Sequence, residues 1–228
     1  MSATSFFDLL KASAGAAWDA YVAHDFVRGL GRGTLPEAAF RHYLVQDYLF
    51  LRHLCRAYGL AAYKATSFDE LAQASAALQA IVTVEVGHHV DYCARHGIGR
   101  ATLDAAEEDL ATTAYARYLL DVGGSGDLLD LHAALAPCVV GYGEIGKRLS
   151  ADPATRLAGN PYGAWIEMYA GEAYQRVVAG EREMLDRLAR ARGGAARRDT
   201  LGAIFRRATR LEAGFWDAGL AAARLSGA

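Results

Sequence analysis

The chain has 228 residues, of which 53% are hydrophobic, and its 24 basic and 26 acidic side chains give a formal net charge of −2. A chain of this length buries about 70% of its unfolded surface in one core. We therefore expect one domain over residues 1–228, without disulfide or metal cross-links. The near-neutral balance excludes the basic field that nucleic acid or anionic lipid requires, which favours a small, roughly neutral partner.

The cysteines and the apolar segments bear on the cellular compartment. Three cysteines, Cys55, Cys93 and Cys138, lie far apart and form neither a disulfide framework nor a CxxC metal motif. Residues 1–5 lack the pattern of a signal peptide, and no stretch of about 18 uncharged apolar residues is long enough to span a membrane. We expect a cytoplasmic protein without a membrane segment.

Helical periodicity begins at the first apolar residues. Between Phe6 and Tyr21 the apolar residues recur at steps of three and four, which predicts one helix of about five turns. We expect it to end near His24. The glycines within residues 29–33 then predict a turn.

Two start signals predict the next two helices. Residues 34–37 (TLPE) resemble a capping box with proline in the first turn, so a long helix is expected from there to about Lys64. Residues 67–70 (SFDE) repeat the signal, and this helix is expected to continue to about His96 before Gly97 ends it.

The second half of the chain shows the same alternation of helices and turns. Residues 102–121 predict a helix, residues 123–126 (GGSG) a turn, and Asp127 the cap of the helix that carries Cys138. The glycine cluster does not predict a phosphate loop, because no preceding strand and no Lys-Ser/Thr pair accompany it.

The last helices complete the predicted fold. Asn160 marks the start of a helix to about Arg190, and Asp199 is the expected cap of the final helix. Alanine and leucine dominate, prolines number only four, and β-branched alternation is almost absent. The sequence therefore predicts an all-α, single-domain helical bundle.

Cys138 is the first candidate for chemistry. It follows Pro137 in an apolar helical stretch, and Tyr142 lies one helical turn further on. A thiol beside a phenol is consistent with a nucleophile whose substrate is held by aromatic side chains. The alternative is that Cys138 is a small apolar core residue, the common environment of a lone cysteine.

Asp47 is the second candidate, since it lies in a long helix whose surrounding residues are nearly all apolar or aromatic. Helical spacing places Phe50 and Leu51 on its face, so its carboxylate is expected to line an aromatic pocket and accept hydrogen bonds from an amino group. The alternative is a carboxylate paired with a buried tyrosine or arginine.

Glu212 is the third candidate, with Phe215 and Trp216 three and four residues further on. One acid again shares its helix face with aromatic rings. The alternative places Glu212 on a solvated face, but Arg207 and Arg210 lack the spacing for an intrahelical ion pair with it.

A metal site is not predicted. The segment from Glu85 to His88 fits the Glu-x-x-His pattern by which helical bundles hold a di-metal centre. Such centres need two copies, and the chain has no second one. A metal-dependent oxidase on a helical scaffold therefore stays a minor alternative, and no hydrolase template of the Ser-His-Asp type is visible.

Seven short segments, in order along almost the whole chain, resemble the TenA/thiaminase II family. They are residues 31–36 (GRGTLP), 43–47 (YLVQD), 112–115 (TTAY), 135–138 (LAPC), 142–146 (YGEIG), 165–169 (WIEMY) and 212–216 (EAGFW). The resemblance implies the all-helical fold of heme oxygenases and a homotetramer. Cys138 is similar to the cysteine of the family's thiol-bearing branch.

The resemblance also implies roles for individual residues. Cys138 is the implied nucleophile, Glu212 the implied proton donor and acceptor, and Asp47 the implied ligand of the pyrimidine's amino group and ring nitrogen. The other implied substrate-binding residues are aromatic: Phe50, Tyr115, Tyr142 and Tyr169.

The implied reaction is hydrolysis of an aminopyrimidine. The expected substrate is 4-amino-5-aminomethyl-2-methylpyrimidine, which yields the hydroxymethyl compound and ammonia in thiamin salvage. Thiamin itself is a second expected substrate. No cofactor or metal is expected, because nucleophile and acid are both side chains. A helical binding or regulatory protein with the same pocket is the competing hypothesis.

Overall fold

The computed structural model describes residues 5–226, and all regular structure in that range is helical. Twelve α-helices follow one another along the chain, with a π-helical segment, Ile81–Glu85, between the fifth and sixth. In chain order the α-helices are α1 (Phe6–Ala14), α2 (Ala16–Val22), α3 (Asp25–Arg32), α4 (Glu37–Lys64), α5 (Phe68–Ala80), α6 (Val86–Arg95), α7 (Arg100–Ala105), α8 (Leu110–Ser125), α9 (Leu128–Ala151), α10 (Gly163–Ala170), α11 (Glu172–Ala191) and α12 (Arg198–Ser226).

Short polar side chains start several of these helices, as the sequence indicates. The Ser67 hydroxyl accepts a hydrogen bond from the Glu70 amide (3.2 Å), which confirms the start signal of α5. The Asp127 carboxylate accepts from the Leu129 amide (2.9 Å), which confirms the cap of α9. Such caps satisfy amides that have no partner within the helix.

The predicted first helix and the glycine turn after it are wrong. Gly15, with φ of 51°, separates α1 from α2, because this left-handed conformation ends the first helix. Residues 25–32 form α3 where a turn was expected, and of the three glycines within residues 29–33 only Gly33 has a positive φ, 68°. The apolar spacing continues through Gly15 and through the junction of α2 and α3, so it does not reveal where these helices end.

The start of α4 also differs from the prediction. The helix begins at Glu37, so Pro36 precedes it and does not occupy its first turn. The Thr34 and Leu35 amides instead donate to the carbonyl oxygen of Gly29 (2.9 and 3.2 Å). Thr34 and Leu35 therefore close the C-terminal end of α3 as well as lead into α4.

A loop interrupts the helix expected over residues 102–121. Residues 106–109 separate α7 from α8. Gln46 of α4 explains the interruption, because its amide nitrogen donates to the Glu107 carbonyl oxygen (3.0 Å) and its amide oxygen accepts from the Asp109 amide (3.0 Å). The predicted glycine turn is mostly helical, since α8 continues to Ser125.

The helix expected over residues 160–190 is divided as well. Asn160 caps the Tyr162 amide (2.9 Å), α10 begins at Gly163, and Gly171 adopts an extended conformation between α10 and α11. The last helix begins at Arg198, so Asp199 lies in its first turn and is not the cap.

The described chain falls into two compact units. The first contains residues up to Pro36 and His132–Asp217, and the second contains Glu37–Leu131 with the residues from Ala218 onward. In the first unit α1 packs on α11 and α10 on both α3 and α11; in the second, α4 packs on α5, α6 and α8. The single-domain organisation stays a prediction.

One helix in the described part of the chain, α9, is long and apolar enough to cross a membrane by length and composition alone. In its most apolar window 89% of the residues are buried inside the protein, which is typical of a core helix. This helix positions the first set of candidate site residues.

Candidate active site

Glycines on α9 allow neighbouring side chains to approach its backbone closely. A methyl group at Gly141 would lie 2.4 Å from the Tyr21 ring, and one at Gly146 would lie 2.6 Å from the Tyr169 backbone. Both distances are shorter than any ordinary carbon contact, so larger residues cannot occupy these positions without rearrangement. Gly141, just before the YGEIG segment, and Gly146 within it thus allow tyrosines from α2 and α10 to lie against α9.

Tyr21 also contacts α9 immediately before the candidate nucleophile. Its hydroxyl donates to the carbonyl oxygen of Pro137 (3.3 Å). Pro137 lies inside α9 and has no amide hydrogen to donate to the preceding turn. The tyrosine therefore fixes the backbone one residue before Cys138.

Cys138 differs in exposure from its neighbours. Within the described stretch from Leu128 to Gly143, every other residue is buried, whereas Cys138 is partly accessible. An inert core cysteine would share the burial of the residues around it. This accessibility favours a thiol that faces a ligand.

Glu212 is buried on α12, with only 2% of its surface exposed, so the solvated-face alternative is wrong. Aromatic rings surround this part of α12. The Trp216 ring stacks on Phe26 (centroids 4.7 Å apart) and lies 5.4 Å from the ring of Tyr142, which in turn lies 5.0 Å from that of Tyr169.

The pKa of Tyr21 responds to the charges of both Glu212 and Cys138. Burial raises the pKa of Tyr21 well above its ordinary value, and the nearby negative charges of Glu212 and Cys138 raise it further, with smaller effects from two other tyrosines. Acid and thiol therefore both lie close to one phenol. We call Cys138, Glu212, Tyr21, Tyr142 and Tyr169 the thiol cluster; all five belong to the first unit.

Asp47 lies in the second unit, on α4, with 16% of its side chain exposed. Tyr43 donates a hydrogen bond to its Oδ2 (3.3 Å), and His89 Nδ1 lies 3.6 Å from the same oxygen. Burial raises the pKa of Asp47, while the His89 charge and the Tyr43 hydrogen bond oppose the rise. The pairing with a tyrosine matches the alternative considered for this residue, and the partial exposure is what a ligand site requires.

Phe50 and Tyr115 form an aromatic wall in the second unit. Their rings are stacked, with centroids 4.9 Å apart and an angle of 17° between the planes. Gln46 holds α8 in place for this contact, because its side-chain oxygen also accepts from the Thr112 hydroxyl (2.7 Å). The predicted Thr112–Tyr115 segment is thus attached to α4 on both sides of Asp47.

The structure therefore groups the predicted site residues into two sets. Cys138, Glu212, Tyr142 and Tyr169 lie in the first unit, and Asp47, Phe50 and Tyr115 in the second. Their individual roles stay predictions. Sequence reasoning does not find Tyr21, whose position in an apolar stripe is typical of a core residue, or His89, which no sequence motif marks.

The chemistry available to these groups is nucleophilic addition with proton transfer. The thiol cluster supplies a thiol and a buried carboxyl group, and Asp47, in the other unit, supplies a partly exposed hydrogen-bond acceptor. Among residues 5–226, no group of three or more histidine, cysteine, aspartate or glutamate side chains is arranged to hold a metal ion. His88 of the Glu-x-x-His segment is exposed.

Known proteins are similar to this chain along most of its length. A protein from Haemophilus influenzae described as uncharacterized is 38% identical over 203 residues, which are 89% of this chain and 93% of that protein. The aminopyrimidine aminohydrolase of Halalkalibacterium halodurans is 36% identical over 214 residues, 93% of this chain and 94% of that enzyme.

Solved structures are similar as well. A protein of Silicibacter sp. TM1040, described as a TenA family transcription regulator, has a TM-score of 0.89 and 46% identity, covering 94% of this chain and 96% of that one. A Shewanella denitrificans domain with a heme oxygenase-like fold matches at a TM-score of 0.76 and 16% identity over 96% and 94% of the two chains, which concerns the fold alone.

These matches confirm the predicted all-α, heme oxygenase-like fold. The model of the TENA/THI-4/PQQC family matches residues 11–222, nearly the whole chain. The chain belongs to the TENA/THI-4/PQQC family.

Proposed function

We propose that this protein is an aminopyrimidine aminohydrolase of thiamin salvage. Its substrate is 4-amino-5-aminomethyl-2-methylpyrimidine, and its products are the 5-hydroxymethyl compound and ammonia. Family membership and the relative from Halalkalibacterium halodurans support a hydrolase that acts on C–N bonds. Cleavage of thiamin by the same route is a second proposed activity.

The observation that carries the proposal is the accessible thiol of Cys138 in an otherwise buried helix, with Glu212 and Cys138 both close to Tyr21. A nucleophile must reach its substrate, and an acid must be near enough to serve the same reacting atoms. An accessible thiol and a buried acid whose charges both act on Tyr21 support these roles for the thiol cluster.

The reaction begins when the Cys138 thiolate forms an S–C bond to the electron-poor ring. The C–N bond of the aminomethyl group then breaks, and Glu212 gives its proton to the leaving nitrogen, which departs as ammonia. Water adds to the exocyclic carbon and returns a proton to Glu212. The S–C bond then breaks and restores the thiolate and the aromatic ring.

Substrate recognition is assigned to the remaining residues. Asp47 accepts a hydrogen bond from the amino group and engages the ring nitrogen, and Phe50 stacks on the base. Tyr115, Tyr142 and Tyr169 are the further aromatic residues to which the family resemblance assigns substrate binding. A small neutral ligand also agrees with the net charge of −2, which provides no extended basic field.

The proposal is tested by ammonia release from the aminomethylpyrimidine, compared with thiamin as substrate. Cys138→Ser should lower kcat by more than about a thousandfold, because a hydroxyl is a much weaker nucleophile than a thiolate. Cys55→Ser is the matched control, since Cys55 is also a partly exposed cysteine in a long helix but lies in the other unit. Calorimetry should show that the Cys138→Ser protein still binds the hydroxymethyl product.

Unchanged turnover in the Cys138→Ser protein would defeat the proposed mechanism. A wild-type protein that binds the pyrimidine but releases no ammonia would favour a second candidate, a regulatory protein. The description of the Silicibacter relative as a transcription regulator is the observation behind that candidate. The near-neutral charge of this chain disfavours it, because contacts to DNA phosphates require a basic surface.

We also propose a cytoplasmic homotetramer. The three cysteines form no disulfide, as in a reducing compartment. In the second unit, parts of α4, α5 and the π-helical segment expose large apolar side chains. Exposed apolar surface of this kind is typical of interfaces between chains. These residues, which we call the apolar segment, are Tyr63, Phe68, Leu71, Val82 and Val84.

A further inference from the structure

His89 of α6 contacts the helix that carries Asp47 at two points. Its Nε2 lies 2.8 Å from the carbonyl oxygen of Leu44, and its Nδ1 faces Asp47 Oδ2 at 3.6 Å. The ring is mostly buried, with 11% of the side chain exposed, and it lies parallel to the ring of Tyr48 at 6.4 Å. The position of His89 is therefore fixed by α4.

The Leu44 contact determines where one ring proton resides. A carbonyl oxygen can only accept a hydrogen bond, so His89 Nε2 must carry the hydrogen. In a neutral ring, Nδ1 then has a lone pair, and that lone pair faces the Asp47 carboxyl group.

A lone pair that faces a carboxylate is repulsive unless a proton lies between them. One proton on either side removes the conflict: the pair is then an imidazolium beside a carboxylate, or a neutral imidazole that accepts from a protonated acid. The distance of 3.6 Å is longer than a hydrogen bond, and contacts of this kind often shorten when a ligand binds.

Other groups around the pair act on its proton in opposite directions. The Tyr43 hydroxyl donates to Asp47 Oδ2 from α4 itself, which favours the ionised carboxylate. Desolvation raises the pKa of Glu85 in the π-helical segment and of Cys93 in α6. The nearby negative charge of Asp47 raises the pKa of each group further. Because part of the Glu85 surface is exposed, solvent moderates that rise.

A further ionic group lies behind the Tyr48 ring. The Arg100 guanidinium is 5.8 Å from that ring's centroid, and Asp104 accepts hydrogen bonds from both Tyr48 (2.9 Å) and Arg100 (3.0 Å). These opposite charges are paired with each other. They therefore add little net charge near Asp47, and the Glu85 carboxylate, when ionised, favours a proton on the histidine–aspartate pair.

We propose that His89 is a positioning residue that shares a single proton with Asp47 and thereby holds the Asp47 carboxyl group in the orientation that receives an aminopyrimidine. The inference rests on the proposed function for the identity of the ligand. Among the described residues, both polar contacts of Asp47 fall on Oδ2. Tyr43 and His89 therefore direct Oδ1 toward the ligand.

The shared proton makes binding depend on pH in two directions. When the pair loses its proton at high pH, the carboxylate faces a lone pair and loses its position. When the pair gains a second proton at low pH, Asp47 becomes neutral and a poorer acceptor. Affinity for the aminopyrimidine is therefore greatest at intermediate pH.

The test measures the Kd of the hydroxymethylpyrimidine product by calorimetry from pH 5 to pH 9. His89→Phe keeps the ring but has no N–H, and it should weaken binding about ten- to a hundredfold and raise KM more than it lowers kcat. His89→Asn presents an amide donor that does not titrate, so it should restore much of the affinity and abolish the alkaline decrease. His88→Asn, at the exposed neighbouring histidine, is the matched control and should behave as wild type.

A second measurement needs no ligand and does not depend on the folding of a variant. The ¹⁵N chemical shifts of the His89 ring in the wild-type protein should show a protonated Nε2 throughout this pH range. An unprotonated Nε2, wild-type affinity in His89→Phe, or a persistent alkaline decrease in His89→Asn would each overturn the inference alone. Failure of the wild-type protein to bind any aminopyrimidine would instead overturn the proposed function.

Discussion

Two histidines of α4 hold the loop before α8 through carboxylates. His53 Nε2 lies 2.6 Å from Glu108, and His42 Nε2 lies 2.9 Å from Asp109. The His53 hydrogen bond lowers the pKa of Glu108, against a smaller effect of burial. Burial raises the pKa of Asp109, but hydrogen bonds from His42 and Thr112 together outweigh it, so that pKa is lowered as well. These contacts fix the loop that precedes Tyr115.

Glu108→Gln should therefore lower the free energy of unfolding by about 1 to 2 kcal/mol at pH 7, because a charged acceptor for a buried histidine is lost. A carboxyl whose pKa is lowered by folding stabilises above its unfolded pKa of about 4.3, and that stability is lost as pH falls through the folded value. The difference from wild type should shrink as pH falls below the unfolded pKa and vanish once the folded carboxyl group is protonated. Urea titrations at pH 7, 5 and 3 measure it, with the exposed Glu107→Gln as control; a difference that persists in acid contradicts the assignment.

Individual site residues differ in how far sequence alone identifies them. Glu212 stands out because an acid is unusual among apolar and aromatic neighbours, whereas Cys138 stands out because its segment resembles the thiol-bearing branch of the family. Tyr21 does not, since its spacing is that of a core residue and only the fold places its hydroxyl on Pro137. His89 likewise depends on the contact between α6 and α4, which no local pattern encodes.

At the scale of elements, the approach of Tyr21 to α9 depends on Gly141. An alanine there would place its Cβ 2.4 Å from Tyr21 Cε1, so Gly141→Ala should lower the free energy of unfolding by about 1 to 3 kcal/mol. Turnover should fall as well, because the displaced tyrosine can no longer hold the Pro137 carbonyl. Chemical denaturation and the ammonia assay measure the two effects.

Gly180→Ala in α11 is the matched control, because a Cβ there meets no atom within 4 Å. It should raise the free energy of unfolding by about 0.5 to 1 kcal/mol through helix propensity alone. Equal gains in stability from both alanines would show that Tyr21 does not pack against α9 as described.

The helical class and the starts of α5 and α9 follow from composition, periodicity and capping residues. The breaks at Gly15, Gly171 and residues 106–109 do not follow from these signals. Tertiary contacts decide those positions. The amide groups of Gln46 and Gln175 bind backbone groups at two of the breaks, and such contacts between distant residues leave no local signal.

At the scale of the whole molecule, the family match over residues 11–222 agrees with the predicted fold. The number of chains that assemble depends instead on the residues exposed at the protein surface. The apolar segment carries the proposed interface. Phe68 is 89% exposed and Val82 is 56% exposed, which is costly for large apolar side chains in water. Sequence periodicity does not reveal this surface, because an interface stripe and a core stripe share the same spacing.

Introducing charge into the apolar segment tests the assembly. The wild-type protein should have the mass of four 24.4 kDa chains by light scattering after size-exclusion chromatography. Phe68→Glu combined with Val82→Glu should lower that mass, since buried unpaired carboxylates oppose association. Leu110→Glu, an equally exposed leucine on α8 outside the segment, should leave it unchanged. A monomeric wild-type protein, or a doubly substituted protein that keeps the wild-type mass at the same concentration, would contradict the proposed interface, because association follows mass action and depends on the surface that is buried.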